Sequence, residues 1–187
     1  MDRRQQKTRA AIFSAFESLL NKQPYSKITV QDIIDEANVG RTTLYAHLET
    51  KDALLQQLCA NLFEHVFSDQ PGISDKHLFA LSEGDTEHVV THILFHLKDN
   101  GKSLAKLLVG ESSDIFLFYF KQHLDEVVSR YILSGMEHNN TLIPEELLRN
   151  HIAGSFVNMA QWWIRRGTKE SPEEMAKYFM AVIEPIL

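Results

Sequence analysis

The sequence lacks the features that identify several large classes of protein. It contains a single cysteine, Cys59, in 187 residues, so an internal disulfide is excluded, and its position among leucines predicts a small core residue. It has no run of about 18 apolar residues, so no membrane span is predicted. Its first residues are charged and polar, unlike a signal peptide, which favours a cytoplasmic protein.

Patterns typical of enzymes and of β-structure are also missing. The sequence has no nucleotide-binding glycine loop, no nucleophile elbow and no clear group of metal ligands, so we expect neither an enzyme nor a cofactor. No alternation of apolar and polar residues predicts a strand, and no repeat occurs. Apolar residues recur at helical spacing instead, which predicts an all-α protein of about nine helices.

Positive charge is scarce in the chain as a whole but not in its first quarter. The net charge is −6. Residues 1–52 hold eight Lys and Arg against seven Asp and Glu, a net charge of +1, whereas the other 135 residues hold eleven against eighteen, a net charge of −7. Because a phosphate backbone responds to the local field, the acidic total does not exclude DNA as a partner.

The stretch from Ile28 to Leu55 predicts two short helices joined by a tight turn, followed by the start of a third helix. Thr29 and Asp32 have the spacing of a capping box at the start of the first helix. Asn38-Val39-Gly40 interrupts the helical pattern, and a three-residue turn containing glycine is typical of a helix-turn-helix unit. The second helix is predicted from Arg41 to about Leu48.

This second helix has an outward face suited to an anionic, hydrogen-bonding surface. Leu44 and Leu48 are spaced to anchor it. The side chains left outward, none of them acidic, are Arg41, Thr42, Thr43, Tyr45 and His47. In DNA-binding helix-turn-helix units the second helix enters the major groove and its N-terminal residues contact base edges. We therefore expect base contacts from Arg41, Thr42 and Thr43, with Arg41 able to pair with guanine.

The stretch resembles the N-terminal domain of the TetR family of bacterial transcriptional regulators. The resemblance covers roughly residues 6–55 and rests on the capped helix together with Ala37-x-Val39, Thr43-Leu44-Tyr45-x-His47 and Thr50-Lys51-x-x-Leu54. It implies phosphate contacts from Thr29, Tyr45, His47 and Lys51. Two positions depart from the family pattern, which often has Ser in place of Gly40 and Phe in place of Leu48.

An amphipathic helix is predicted before this unit, over residues 3–21. Its first turns hold Arg3, Arg4, Lys7 and Arg9, and we expect at least one of them to contact a phosphate; the alternative is a solvated helix end. We assign residues 1–50 to a DNA-binding domain and 51–187 to a helical domain for ligand binding and dimerisation.

The second domain is predicted to consist of six helices. The first of these helices precedes a break at Asp69–Asp85, and the other five follow it. The break itself is predicted to hold at most a short helix around His77 to Leu81. Their predicted positions are Thr50 to about Ser68, Thr86–Lys98, Gly101–Val109, Ser113 to about Leu133, a long helix opened by Pro144 and closed by Gly167, and a last helix capped by Ser171.

Aromatic and histidine side chains in the middle helices allow two interpretations. The run Ile115–Phe120 is apolar nearly all round, which is typical of a core helix. The resemblance to ligand-responsive regulators implies that some of these residues line a cavity instead. The spacing of His88, His92 and His96 places them on one face of a helix. They can form a polar border of the core, contact a ligand inside a pocket, or bind a metal, although no further ligands in the sequence support a metal site. The candidate pocket residues are His92, His96, Phe116, Tyr119, Phe120, His123 and Trp162.

The last two helices offer more apolar surface than one small domain can cover. Glycine inside a helix costs about 1 kcal/mol, so Gly154 predicts the close approach of another backbone. We expect a homodimer through these helices, with two from each subunit forming a four-helix bundle. The candidate interface residues are Gly154, Phe156, Met159, Trp163, Phe179 and Ile183.

These features predict a dimeric repressor that binds a palindromic DNA operator and is released by an unknown small-molecule effector, a mechanism that the family resemblance implies in part. In a dimer, two DNA-binding domains contact both half-sites at once, which strengthens a contact that is weak for one domain alone. The alternatives are a regulator that acts as a co-activator, or one that acts through protein contacts without operator release by a ligand.

Overall fold

The computed structural model describes residues 3–47, 50–67, 86–99, 101–110, 113–134 and 143–187. Every regular element in these ranges is helical, which confirms the predicted all-α fold. The α-helices are α1 (Arg3–Lys22), α2 (Val30–Ala37), α3 (Arg41–His47), α4 (Lys51–Phe67), α5 (Thr86–Asp99), α6 (Gly101–Val109), α7 (Ser113–Val127), α8 (Glu145–Arg165) and α9 (Pro172–Ile183). The described helices include none that is long and apolar enough to cross a membrane. The predictions for Leu48 and for a helix at 77–81 lie outside the described residues.

Helices α1, α2 and α3 form a small N-terminal unit, here called the head. Ile12 and Phe16 of α1 pack with Ile33 of α2 and Leu44 of α3 in its core, and each is at most 4% exposed. Helices of eight and seven residues, as α2 and α3 are, are not stable alone in water. The burial of these side chains therefore holds the head together.

Helix α4 joins the head to the remaining helices. Its side chains Leu55, Cys59 and Phe63 are at most 1% exposed, and α4 packs on α7. The Phe63 ring centre lies 5.2 Å from that of Phe120 on α7. Cys59 is a core residue, as predicted, and burial raises the pKa of its thiol to about 12. The thiol is therefore protonated at neutral pH and a poor nucleophile.

Helices α5 to α9 form the body, in which α5 packs along α9 and α8 contacts both α6 and α7. The predicted helix from Ser113 to Leu133 is regular only as far as Val127. It continues as a wider π-helical turn over Val128–Ile132, closed by a 2.9 Å bond from the Leu133 N–H to the Val128 carbonyl. The Thr86 hydroxyl donates to the Tyr131 carbonyl at 2.7 Å, which connects this turn to the start of α5.

The connection between α8 and α9 has the glycine and the capping box that the sequence predicts. Gly167 has a φ of 79°, in the left-handed region that favours glycine, and its N–H donates to the Ile164 carbonyl at 3.0 Å. Ser171 and Glu174 form the predicted capping box at the start of α9. The Trp163 indole N–H donates to the Glu170 carbonyl at 3.2 Å, which holds the connection against α8.

Candidate nucleic-acid interface

The turn between α2 and α3 sets the direction of α3. The predicted capping box is present: the Asp32 N–H donates to Thr29 Oγ1 at 3.1 Å, and the Thr29 N–H donates to Asp32 Oδ2 at 2.7 Å. Helix α2 ends at Ala37, and the next residue, Asn38, has a left-handed φ of 51°. Asparagine tolerates this conformation better than most residues, so the reversal occurs at Asn38 and does not need a left-handed Gly40.

Helix α3 directs one leucine inward and a polar face outward. Leu44 is 4% exposed, and its N–H donates to the Gly40 carbonyl at 3.0 Å in the first turn. His47 is half-buried, and the exposed side chains on this helix include Arg41, Thr42, Thr43 and Tyr45. The three predicted base contacts therefore lie together on the first turn of a surface helix whose sequence contains no carboxylate.

Two of the four predicted phosphate contacts also have a structural role. Thr29 caps α2 through its hydroxyl. Lys51 Nζ donates to the Tyr25 carbonyl at 3.0 Å and to the Ile28 carbonyl at 2.9 Å, and it lies 4.0 Å from the centre of the Tyr25 ring. Burial lowers the pKa of Lys51. An ammonium has three donors, so Lys51 can still contact a phosphate, and this contact stays a prediction. Replacing Lys51 would also remove its hydrogen bonds to the Tyr25 and Ile28 carbonyls.

Tyr25 and Asp52 form a contact at the base of the head that the sequence did not reveal. The Tyr25 hydroxyl donates to the Asp52 carboxylate, and the Tyr25 ring packs edge-on against Phe16 with centres 6.2 Å apart. Burial, together with the hydrogen bond to Asp52, raises the pKa of Tyr25. No spacing rule pairs residues that are 27 positions apart, so this contact could not be predicted from the sequence.

The basic residues at the start of α1 divide into two groups. Arg3 and Lys7 are exposed and can reach a phosphate. Arg9 is half-buried and donates to the Gln57 side chain on α4. The Arg4 side chain lies outside the described part of the structure. Arg3 and Lys7 are therefore the better candidates for the predicted contact.

The seven predicted pocket residues differ in burial and in the side chains that they contact. Phe116 and Phe120 are fully buried with ring centres 5.6 Å apart, which agrees with their interpretation as core. His123 stacks on Phe63 with ring centres 5.1 Å apart, and burial lowers its pKa. Trp162, in contrast, is 46% exposed on α8. Its ring belongs to the protein surface, whereas the two phenylalanines belong to the core.

The other predicted pocket residues lie on α5 and α7 and are half-buried. His92 and His96 on α5 are half-buried, and their Nε2 atoms are 3.0 Å apart, so one ring donates a hydrogen bond to the other. Tyr119 on α7 is half-buried and packs against Phe118. Within the described ranges no three His, Cys, Asp or Glu side chains are grouped to hold a metal ion, His88 included.

Four of the six residues predicted at the dimer interface belong to the core of the single chain. These four, each at most 2% exposed, are Phe156, Trp163, Phe179 and Ile183. Their prediction as interface residues is wrong, because α8 and α9 direct them into the body. Gly154 and Met159 are half-buried, and a Cβ on Gly154 would meet no neighbouring atom within 4 Å. Large apolar side chains that these helices leave exposed are Leu147, Trp162, Tyr178 and Val182.

Two family models match the chain, one on the head and one on the body. Residues 10–58 match the model described as bacterial regulatory proteins of the tetR family. Residues 84–185 match the model described as the transcriptional regulator C-terminal region. Together they cover α2, α3 and all of the body helices.

Solved structures share this architecture. A TetR transcriptional regulator from Streptococcus agalactiae 2603V is 36% identical, with a TM-score of 0.73 over 97% of this chain and 96% of that chain. The transcriptional regulator FadR from Bacillus subtilis, solved in complex with stearoyl-CoA, is 18% identical, with a TM-score of 0.63 over 93% of this chain and 96% of that chain. The second similarity concerns the fold alone.

A curated relative agrees with this assignment. The uncharacterized HTH-type transcriptional regulator YxbF of Bacillus subtilis (strain 168) is 26% identical over 98% of this chain, which spans 46% of the length of that relative. The matched proteins are transcriptional regulators, and the head has the helix-turn-helix geometry that such regulators use on DNA. The chain belongs to the TetR family of bacterial transcriptional regulators.

Proposed function

We propose that the chain is a cytoplasmic, dimeric repressor that binds a palindromic operator and is released from it by a small-molecule ligand. The outward face of α3 is the observation on which this proposal depends most. Arg41, Thr42 and Thr43 are exposed on the first turn of a helix anchored by Leu44. A helix placed in this way presents its N-terminal side chains to base edges when it lies in the major groove.

The exposed side chains divide into two kinds of DNA contact. Arg41 has a planar guanidinium that can bond the O6 and N7 atoms of one guanine, so it discriminates between sequences. Tyr45 and His47 lie further along the same helix and are assigned to phosphates, together with Thr29 and Lys51. Phosphate contacts strengthen binding to every sequence and give it a salt dependence where they are charged.

DNA binding is tested by titrating the protein against the DNA upstream of its own gene and against a scrambled duplex, by fluorescence anisotropy at several salt concentrations. We expect a salt-sensitive complex that prefers the upstream DNA. Arg41→Ala should weaken that complex by about 1–3 kcal/mol and leave the scrambled duplex nearly unaffected. Tyr45→Phe, which removes only a hydroxyl, should weaken both duplexes equally and leave the salt dependence unchanged.

The control for this test is Arg130→Ala, which removes an exposed arginine from the body, where it pairs with Glu126. It should bind both duplexes as the wild type does. Equal losses on both duplexes for Arg41→Ala would contradict its role in base recognition. Affinity that does not change with added salt would contradict DNA binding as a whole.

The dimer is proposed to form through the apolar side chains that α8 and α9 leave exposed. Tyr178 and Val182 lie one turn apart on α9 and are 51% and 63% exposed, and Leu147 and Trp162 on α8 are 57% and 46% exposed. Gly154 lies between the latter two, and the space beside it is open to a partner helix. A stable dimer covers about 800 Å² on each subunit, which is the scale of two helix faces.

A charge placed on this surface tests the assignment. Val182→Glu should convert the dimer into a monomer in analytical ultracentrifugation, because the carboxylate would be buried without a partner. Phe118→Glu is the matched control, because Phe118 is 58% exposed but lies on α7. Dissociation by Phe118→Glu, with an intact Val182→Glu dimer, would place the interface elsewhere.

Release by a ligand requires the ligand to favour one arrangement of the two heads. A shift from mostly bound to mostly released needs about 5 kcal/mol of differential affinity. Helix α4 connects the body to the head and can transmit such a shift.

Deletion of the gene, with transcription from the bound promoter as the readout, separates a repressor from an activator. A repressor predicts increased transcription, whereas decreased transcription would identify an activator.

A further inference from the structure

A cavity of about 490 Å³ lies where the head meets the body. One wall is the end of α1 and the turn that follows it, including Leu20, Pro24 and Tyr25, and the other is the end of α6, including Leu107 and Val109. The volume falls within the range of about 300–1,000 Å³ that is typical of small-molecule sites. The cavity is separate from the seven residues that the sequence suggested as a pocket.

The charged side chains that line the cavity are both cationic. Its described lining includes Lys22 and Lys106 and no carboxylate. Lys22 Nζ forms an ion pair with Glu36 at 2.7 Å, so its charge is already balanced. Lys106 Nζ donates to the Asn21 carbonyl at 2.5 Å, a neutral acceptor at the end of α1. Because an ammonium has three donors, Lys106 retains both a positive charge and the capacity to bind an anion.

We propose that this junction cavity binds a small amphipathic anion, with its apolar part between Leu20 and Val109 and its acidic group at Lys106. Such a molecule contacts the head and the body at the same time and therefore favours one arrangement of the two. The effect can reach α4 through Tyr25, whose hydroxyl donates to Asp52 in the first turn of α4. The proposal rests on the proposed ligand response and gives it a site and a ligand class.

Two fluorescent probes test the proposal on the full-length protein in the absence of DNA. Anilinonaphthalene sulfonate is an amphipathic anion, and N-phenylnaphthylamine is its neutral counterpart. The wild type should bind both probes saturably. Lys106→Met, which keeps the apolar stem, should weaken the sulfonate about tenfold and leave the neutral probe unchanged. Val109→Trp should weaken both probes about tenfold or more by filling the cavity.

The matched control is Lys177→Met, which removes an exposed lysine of α9 and should leave both affinities unchanged. Three results would overturn the proposal: no saturable binding to the wild type, equal responses of the two probes to Lys106→Met, or wild-type affinities in a folded Val109→Trp variant. If Val109→Trp does not fold, the response to Lys106→Met decides the outcome alone. Because DNA is absent, failure here is distinguishable from failure of operator binding.

Discussion

The head and the body differ in how much of each helix is used for packing. In α3, one of seven residues is buried, and the exposed residues are free to contact another molecule. In α8, seven of 21 residues are buried, because this helix lies against α6, α7 and α9. A short helix at the edge of a unit has one inner face, whereas a long helix of a bundle has several.

This difference determines where binding surfaces occur. In the head, a single leucine orients α3, so the remaining side chains form the candidate DNA surface. In the body, large apolar side chains such as Phe156 and Trp163 pack in the core, and the proposed dimer contact is left to the apolar side chains that remain exposed. A residue's size or hydrophobicity therefore does not identify an interface residue in α8 or α9.

The adjacent tryptophans of α8 test this distinction with the largest expected effect. Trp163 is fully buried and donates to the Glu170 carbonyl, whereas Trp162 is 46% exposed. Trp163→Ala should reduce the free energy of unfolding by about 3–5 kcal/mol, because it leaves a cavity and removes a hydrogen bond. The measurement is urea denaturation followed by circular dichroism at a fixed protein concentration.

The control for this prediction is the neighbouring substitution. Trp162→Ala should leave the unfolding of the monomer nearly unchanged and should weaken dimerisation, measured as the concentration at which subunits separate. If Trp162→Ala destabilises the chain as strongly as Trp163→Ala in a monomeric background such as Val182→Glu, the two positions do not differ as described.

The sequence predicted the head well because its signals are local. The spacing of Thr29 and Asp32 defines a cap, and Leu44 is the apolar position that orients α3, so element bounds and exposed residues follow from neighbours in the chain. The contact between Tyr25 and Asp52 could not be predicted in the same way. It depends on how α4 meets the turn after α1, which is a tertiary relation.

In the body, the sequence predicted helices but not the direction of their side chains. The sequence predicts Phe156 and Trp163 at the dimer interface, whereas in the structure they pack within the chain. Apolar residues occur on several sides of α8, so periodicity does not separate a face toward α7 from a face toward a second subunit. The sequence does not predict the junction cavity either, because its walls come from α1 and α6, which are far apart in the chain.

The contact between Tyr25 and Asp52 joins the turn after α1 to α4. Tyr25→Phe removes the hydroxyl that donates to the Asp52 carboxylate and should cost about 1.5–3 kcal/mol of stability at neutral pH. Because the pKa of Tyr25 is raised in the folded state, this contribution is full below pH of about 10 and decreases as the pH rises above it. Urea titrations of both proteins from neutral to alkaline pH measure the difference, and a constant difference would contradict the assigned pKa shift.

The head and the body each contain one capping box, so the same substitution can be compared in the two regions. Thr29→Ala and Ser171→Ala each remove a cap and should each cost about 1 kcal/mol of stability. Only Thr29→Ala should also weaken DNA binding in the anisotropy titration, since Ser171 lies in the body. Thr29→Ser keeps the hydroxyl and serves as the control. Equal DNA affinities for Thr29→Ala and the wild type would contradict the predicted phosphate contact of Thr29.

The smallest effect is expected at Gly40, just before α3. A Cβ at this position would lie 3.6 Å from Thr43 Oγ1, an ordinary contact, and the φ of Gly40 is not left-handed, so a side chain fits without strain. Gly40→Ser should stabilise the head by a few tenths of a kcal/mol, roughly the advantage of serine over glycine as a helix cap. Gly40→Ala adds the same Cβ without the oxygen and should be less stable than Gly40→Ser in thermal unfolding. If the alanine variant is equally stable, the gain comes from restricting the unfolded chain and not from capping α3.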